Sequence, residues 1–104
     1  MGVRYQSLVN LDAFSASANT DIFTDVTIGS DGILHIAFET LGAEDVRISL
    51  DGGTTFTTLR DSAADIWATD IQLPVTEGDV LQMQTVGAET ISIRVVLEHS
   101  TERD

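Results

Sequence analysis

The chain contains no cysteine and no lysine, and among its 104 residues there is one proline, one tryptophan and one tyrosine. Without cysteine there is no disulfide staple, no thiolate metal site and no thiol nucleophile. Without lysine, the strongly basic side chains are Arg4, Arg47, Arg60, Arg94 and Arg103, set against 17 acidic residues for a formal net charge of -12. A surface this negative repels phosphate, so nucleic acid is not an expected partner. No apolar run approaches the ~20 residues that a membrane-spanning helix needs. The first eight residues, Met1–Leu8, lack the apolar core of a signal peptide. Gln6 stands where a myristoylation motif requires Ser or Thr. No membrane association is therefore expected. Amphipathic helical periodicity is also missing throughout.

The charge has a physical cost. Self-repulsion opposes the compact state at low ionic strength. Concentrated salt removes that cost, because the Debye length falls to about 3 Å at 1 M. Acidity without lysine, in a chain with 42% hydrophobic residues, suits a salt-rich, halophilic environment, with an ordinary acidic mesophilic domain as the alternative. The length matches one domain, and a chain of this size buries roughly two-thirds of its unfolded surface.

What the chain does have is a period of two. Ile91, Ile93, Val95 and Leu97 alternate with Ser92, Arg94 and Val96, the pattern of a strand with one buried face. The run 78–87 alternates too, and a turn around Gly87 predicts that the two form a closing hairpin. Leu34, Ile36 and Phe38 alternate with His35, Ala37 and Glu39. With 21–28 and the Asp31-Gly32 turn signal before them, residues 22–40 read as a second hairpin. Val46, Ile48 and Leu50 point inward on a strand that ends at Asp51-Gly52-Gly53, the strongest turn signal in the chain, and Thr54–Arg60 returns as its partner. Residues 61–65 are a polar connection, too short for a stable helix. Ile66–Leu73 is a further strand, expected to stop or lie at an edge because of Pro74. Residues 1–14 have apolar content without a clean period and read as an N-terminal arm or edge strand, able to reach a neighbouring subunit. Residues 15–100 form the domain, and 101–104 are a charged tail. Seven or eight short strands with regular turns predict an all-β antiparallel sandwich, jelly-roll-like, with an immunoglobulin-like sandwich as the alternative.

Catalytic chemistry finds no foothold. His35 and His99 lack zinc spacing, and His35 reads as a solvated or interface side chain. There is no nucleophile elbow and no phosphate loop. With 17 acids, chance carboxylate pairs carry no information about glycosidase chemistry. No cofactor is expected. Asp51 and the pair Asp61 and Asp65 can offer loop oxygens to a structural calcium ion, but neither has the spacing of a calcium loop. Trp67 shares a predicted strand face with Thr69, Ile71 and Leu73, which places it in the core or an interface. It is also the one candidate contact for a sugar ligand. Assembly is better supported. An open sandwich has edges that must be covered, charged or paired. Arg94 and Val96 lie on the outward face of the last strand, Val80 and Val86 lie opposite Leu81 and Met83, and Tyr5 sits on the arm. We take Tyr5, Arg94 and Val96 as candidate interface residues.

The stretches Asp31-Gly-Ile-Leu-His-Ile, Asp45-Val-Arg-Ile-Ser-Leu-Asp-Gly-Gly, Thr76-Glu-Gly-Asp-Val-Leu and Ile91-Ser-Ile-Arg-Val-Val-Leu resemble small single-jelly-roll virion proteins. These are decoration, turret or tail-accessory subunits of tailed phages and haloarchaeal tailed viruses. The resemblance runs from about residue 20 onward and rests on turn motifs. It implies a non-enzymatic homo-oligomer, a trimer or pentamer, seated on a major capsid protein or other virion subunits after assembly in the host cytoplasm. It transfers no functional residue. Capsid decoration or turret is the expected role. A tail or baseplate subunit and a carbohydrate-binding adhesin are the alternatives.

Overall fold

A computed structural model describes residues 3–61 and 67–100. The described residues form eight strands and no helix: β1 (Val3–Ala16), β2 (Val26–Thr27), β3 (Gly32–Thr40), β4 (Asp45–Ser49), β5 (Thr57–Asp61), β6 (Ala68–Val75), β7 (Val80–Thr85) and β8 (Glu89–Ser100). They build two four-stranded antiparallel sheets, in the orders β1-β8-β3-β6 and β2-β7-β4-β5.

The pairings are nested. β1 pairs with β8, β2 with β7, β3 with β6 and β4 with β5. This is one long ribbon bent between β4 and β5. Rolling the ribbon brings β8 beside β3 and β7 beside β4, which gives a jelly roll. The immunoglobulin-like alternative groups its strands differently and is excluded. The roll also corrects two of the three predicted hairpins of consecutive strands. β7 and β8 lie in different sheets, as do β2 and β3. The segment around Gly87 is therefore an arch between layers, held by the Glu44 carboxylate accepting the Gly87 N–H at 3.0 Å. Alternation reveals that a strand has one buried face, but it does not say which neighbour completes its ladder.

The one local hairpin is β4–β5, and its connection is longer than a two-residue turn. Gly52 and Gly53 take φ of 74° and 95°, a region that glycine enters without Cβ strain. Asp51 organises the loop. Its Oδ1 accepts the Ser49 hydroxyl at 2.7 Å and the N–H groups of Thr54 and Thr55 at 3.1 and 2.9 Å. The returning strand consequently begins at Thr57, not Thr54.

The core lies between the sheets. Leu34, Ile36 and Phe38 of β3 and Ile91, Ile93, Val95 and Leu97 of β8 are buried, as are Val46 and Ile48 of β4 and Leu81 and Met83 of β7. β7 is covered on its other side as well. The segment before β2 runs alongside it, with the Ile22 N–H donating to the Met83 carbonyl at 3.0 Å. Gln82 and Gln84 are thereby buried, and their amides donate to Asp25 and Asp21 at 2.9 and 2.8 Å. Val80 is half-buried against the chain's own Gly52 loop. Of the second apolar face expected at Val80 and Val86, Val80 is partly closed by the chain itself, whereas Val86 stays 40% exposed.

Bulges account for the remaining differences. β1 carries an extra residue between Ser7 and Val9 and another between Leu11 and Phe14, where Ala13 adopts φ 49°. Each extra residue reverses the side-chain phase, so this segment shows no clean period although it is a continuous edge strand. In β6, Ile36 pairs with Ile71 but Phe38 pairs with Ala68. That extra residue turns Ala68 inward and Trp67 outward, so Trp67 is 39% exposed and does not pack in the core. Pro74 does not end β6. It sits within this edge strand, opposite Ile33, where a missing N–H is tolerated.

Two outcomes test this frame. A Cβ at Gly32 would meet the carbonyl oxygen of Glu98. Gly32→Ala should cost about 1–3 kcal/mol in chemical denaturation, the usual range for overpacking. The Asp51 carboxyl is held below its ordinary value of 3.8, first by the Thr55 N–H and then by the Ser49 hydroxyl. A lowered folded pKa contributes stability above the unfolded value, and that stability is lost as pH falls through the folded one. Asp51→Asn should lower Tm at neutral pH and reduce the loss of Tm on acidification below 3.8. Parallel acid-side profiles for both proteins would count against the assignment.

Candidate functional site: the outer face of the first sheet

Residues opposite one another in an antiparallel ladder share a face, so the register assembles the outer surface of the β1-β8-β3-β6 sheet. Tyr5, Glu98 and Ile33 form one row. Ser7, Val96, His35 and Gln72 form the next, and Asn10, Arg94 and Ala37 a third. The sequence candidates Tyr5, Arg94 and Val96 thus fall on one surface. The β6 bulge adds Trp67 to it.

Arg94 is the hub. Its Nη2 meets the Asp12 carboxylate at 2.6 Å, and its Nη1 donates to the carbonyls of Leu11 at 2.9 Å and Ile93 at 3.1 Å. The guanidinium lies 5.5 Å from the centre of the Trp67 ring, within cation–π reach. Arg94 therefore ties the edge strand β1 to the β6 side of the same face. Asp12 is largely solvent-exposed, so the ion pair itself contributes only about 0–1 kcal/mol. Its value lies in positioning the planar group.

A second polar pair stands beside it. His35 Nε2 and Glu98 Oε1 are 2.6 Å apart, and the Tyr5 ring centre lies 6.4 Å from that of His35 at 56°. Between the two pairs the small Ala37 leaves a shallow depression of about 260 Å³, lined by His35, Gln72, Arg94 and Val96. Three outward carboxylates, Asp12, Glu39 and Glu98, share this face, and two of them are paired. In a chain of net charge -12, Arg94 answers the Asp12 charge on this face and Glu98 is hydrogen-bonded to His35.

Reading the sequence alone missed Asp12, Gln72 and the His35–Glu98 pair. Alternation does place Glu98 with Arg94 and Val96, but its contact with His35 depends on the β3–β8 register. Asp12 lies beyond a bulge, so no periodic signal reaches it.

A second hollow, about 390 Å³, opens where the two sheets part beside β5 and β6. Ile48, Leu50, Leu59 and Leu73 line it, with Asp51 and Asp79 at the rim. Both rim carboxylates accept backbone N–H groups. Of the other loop oxygens considered for calcium, Asp65 lies outside the described residues, and nothing is described of the Asp61 side chain. Among the described residues no three His, Asp or Glu side chains gather as a metal set.

No protein family and no curated protein matches this chain in sequence. In structure it is similar to a chain from work described as "Bacillus endospore appendages form a novel family of disulfide-linked pili". The identity is 16%, the TM-score 0.44, and the match covers 92% of this chain and 85% of that one. A likeness of this degree carries no assignment, and disulfide linkage has no counterpart in a chain without cysteine.

Trp67 is the single tryptophan, so its fluorescence reports this face directly. In dilute native protein we expect red-shifted emission and ready quenching by acrylamide, with Arg94→Ala altering the intensity. Blue-shifted, protected emission at low concentration would mean that the ring is buried within the chain.

Proposed function

We propose that the chain is a non-enzymatic structural subunit whose outer β1-β8-β3-β6 face seats against other protein subunits. The observation that carries this reading is the face itself. Tyr5, Val96, Ile33 and Trp67 supply apolar area, while Arg94 is ion-paired with Asp12 and His35 is hydrogen-bonded to Glu98 within the chain itself. Acidic subunits repel one another, and they can approach where carboxylates are already paired. A jelly-roll virion subunit, a capsid decoration or turret from a halophilic source, is the setting suggested by the sequence resemblance and the charge. The nested strand order supports the jelly-roll part of that reading. A trimer or pentamer remains the form that the resemblance implies.

Exposed Trp67 favours one alternative, carbohydrate binding by a host-surface adhesin. Aromatic rings at the surface offer sugars an apolar platform.

Light scattering after size exclusion, at low and molar salt, tests the main reading. We expect an oligomer that is strengthened by salt, and folded but dissociated subunits for Arg94→Glu. A strict monomer at every salt concentration, or an unchanged Arg94→Glu oligomer, counts against this face as the interface. Glycan binding that is lost in Trp67→Ala would favour the adhesin.

A further inference from the structure

Each sheet has two edges, and a free edge presents unpaired N–H and C=O groups to any strand that approaches. Among the described residues, most of these edges are blunted. β2 is two residues long. β5 has five residues, the last two being Arg60 and Asp61. β6 carries Pro74 and an aspartate at position 70. Beyond Ser7, β1 is interrupted by two bulges and by the left-handed Ala13. One regular stretch remains, Val3–Ser7, the five residues before the first bulge. It contains no acid, and its single charge is Arg4. It also holds two of the most exposed large apolar side chains, Tyr5 at 64% and Val3 at 57%.

We propose that two copies of this chain pair edge to edge through Val3–Ser7, antiparallel about a two-fold axis at Tyr5. The two four-stranded sheets then join into one of eight. Antiparallel pairing of a five-residue stretch with itself sets Tyr5 opposite Tyr5 of the second copy and Val3 opposite Ser7. The occupant is a second copy for reasons of both charge and shape. Between chains of net charge -12, pairing along this stretch brings no carboxylates into register. A two-fold contact is self-complementary, whereas a head-to-tail contact with β6 would meet Pro74. Val3 and Tyr5 lie on the outer face, so the pairing merges the two candidate faces into one continuous surface. A dimer departs from the trimer or pentamer that the resemblance implies. The inference rests on the reading that the chain self-associates.

The absence of native cysteine makes single-cysteine variants clean probes. Under mild oxidation Tyr5→Cys should form covalent dimer roughly tenfold faster than Arg94→Cys, because only paired edges bring two Cα atoms within the ~4.4–6.8 Å that a disulfide spans. Where loss of Tyr5 itself weakens the dimer, a mixture of Val3→Cys and Ser7→Cys keeps the ring. That mixture should cross-link faster than either variant alone. An oligomer by light scattering that fails both cross-links overturns the edge pairing and leaves self-association standing. Faster cross-linking at Arg94→Cys overturns it in favour of stacked faces. A monomeric parent overturns both readings.

Discussion

β8 is the constraint on which the rest depends. It is hydrogen-bonded on both sides along most of its length, to β1 and to β3. Its inward side chains, Ile91, Ile93, Val95 and Leu97, are each no more than 1% exposed. A strand held on two sides and buried on one face has no freedom of register, because a one-residue slip would drive Arg94 and Glu98 into the core. The outward set, Ser92, Arg94, Val96 and Glu98, is therefore determined by the core set. The candidate interface is the reverse side of the hydrophobic centre, and its geometry inherits the rigidity of that centre.

The electrostatics of the face follow from the same arrangement. β1 brings Asp12 to Arg94, and β3 brings His35 to Glu98. Elsewhere carboxylates serve the backbone or side-chain amides: Asp51 and Asp79 bind their own turns, Glu44 binds an arch, and Asp21 and Asp25 accept from Gln84 and Gln82. The acidic composition is thus partly structural. Acidic side chains close loops that an all-β chain has in abundance, and the lowered carboxyl pKa of Asp51 records how heavily that one is used.

Much of this was legible in the sequence, for a physical reason. Alternation is a property of one strand, and it identified the buried residues of β3, β4 and β8 and the outward placement of Arg94 and Val96. Strand partners are a property of two strands distant in sequence, so the expected hairpins of β2–β3 and β7–β8 gave way to an interleaved roll. Bulges are the other blind spot. A single extra residue in β6 settles Trp67, expected in the core or an interface, at the surface, and two in β1 erased its period. Turn chemistry was read correctly in kind at Asp51-Gly52-Gly53 but not in length, because the Asp51 side chain, rather than the backbone alone, sets where β5 begins.

The nested pairing also sets an order of events. Every strand before the bend at β4–β5 waits for a partner after it, and β1 waits for the very last one. Such long sequence separations make folding slow. On a ribosome, the apolar faces of β1, β2 and β3 emerge well before β7 and β8 exist to cover them. The sheet closes only once β8 has emerged to meet both β1 and β3. Until that moment the long, nearly uncharged first strand is exposed to neighbouring nascent chains, and the repulsion between acidic copies acts as its guard against premature association.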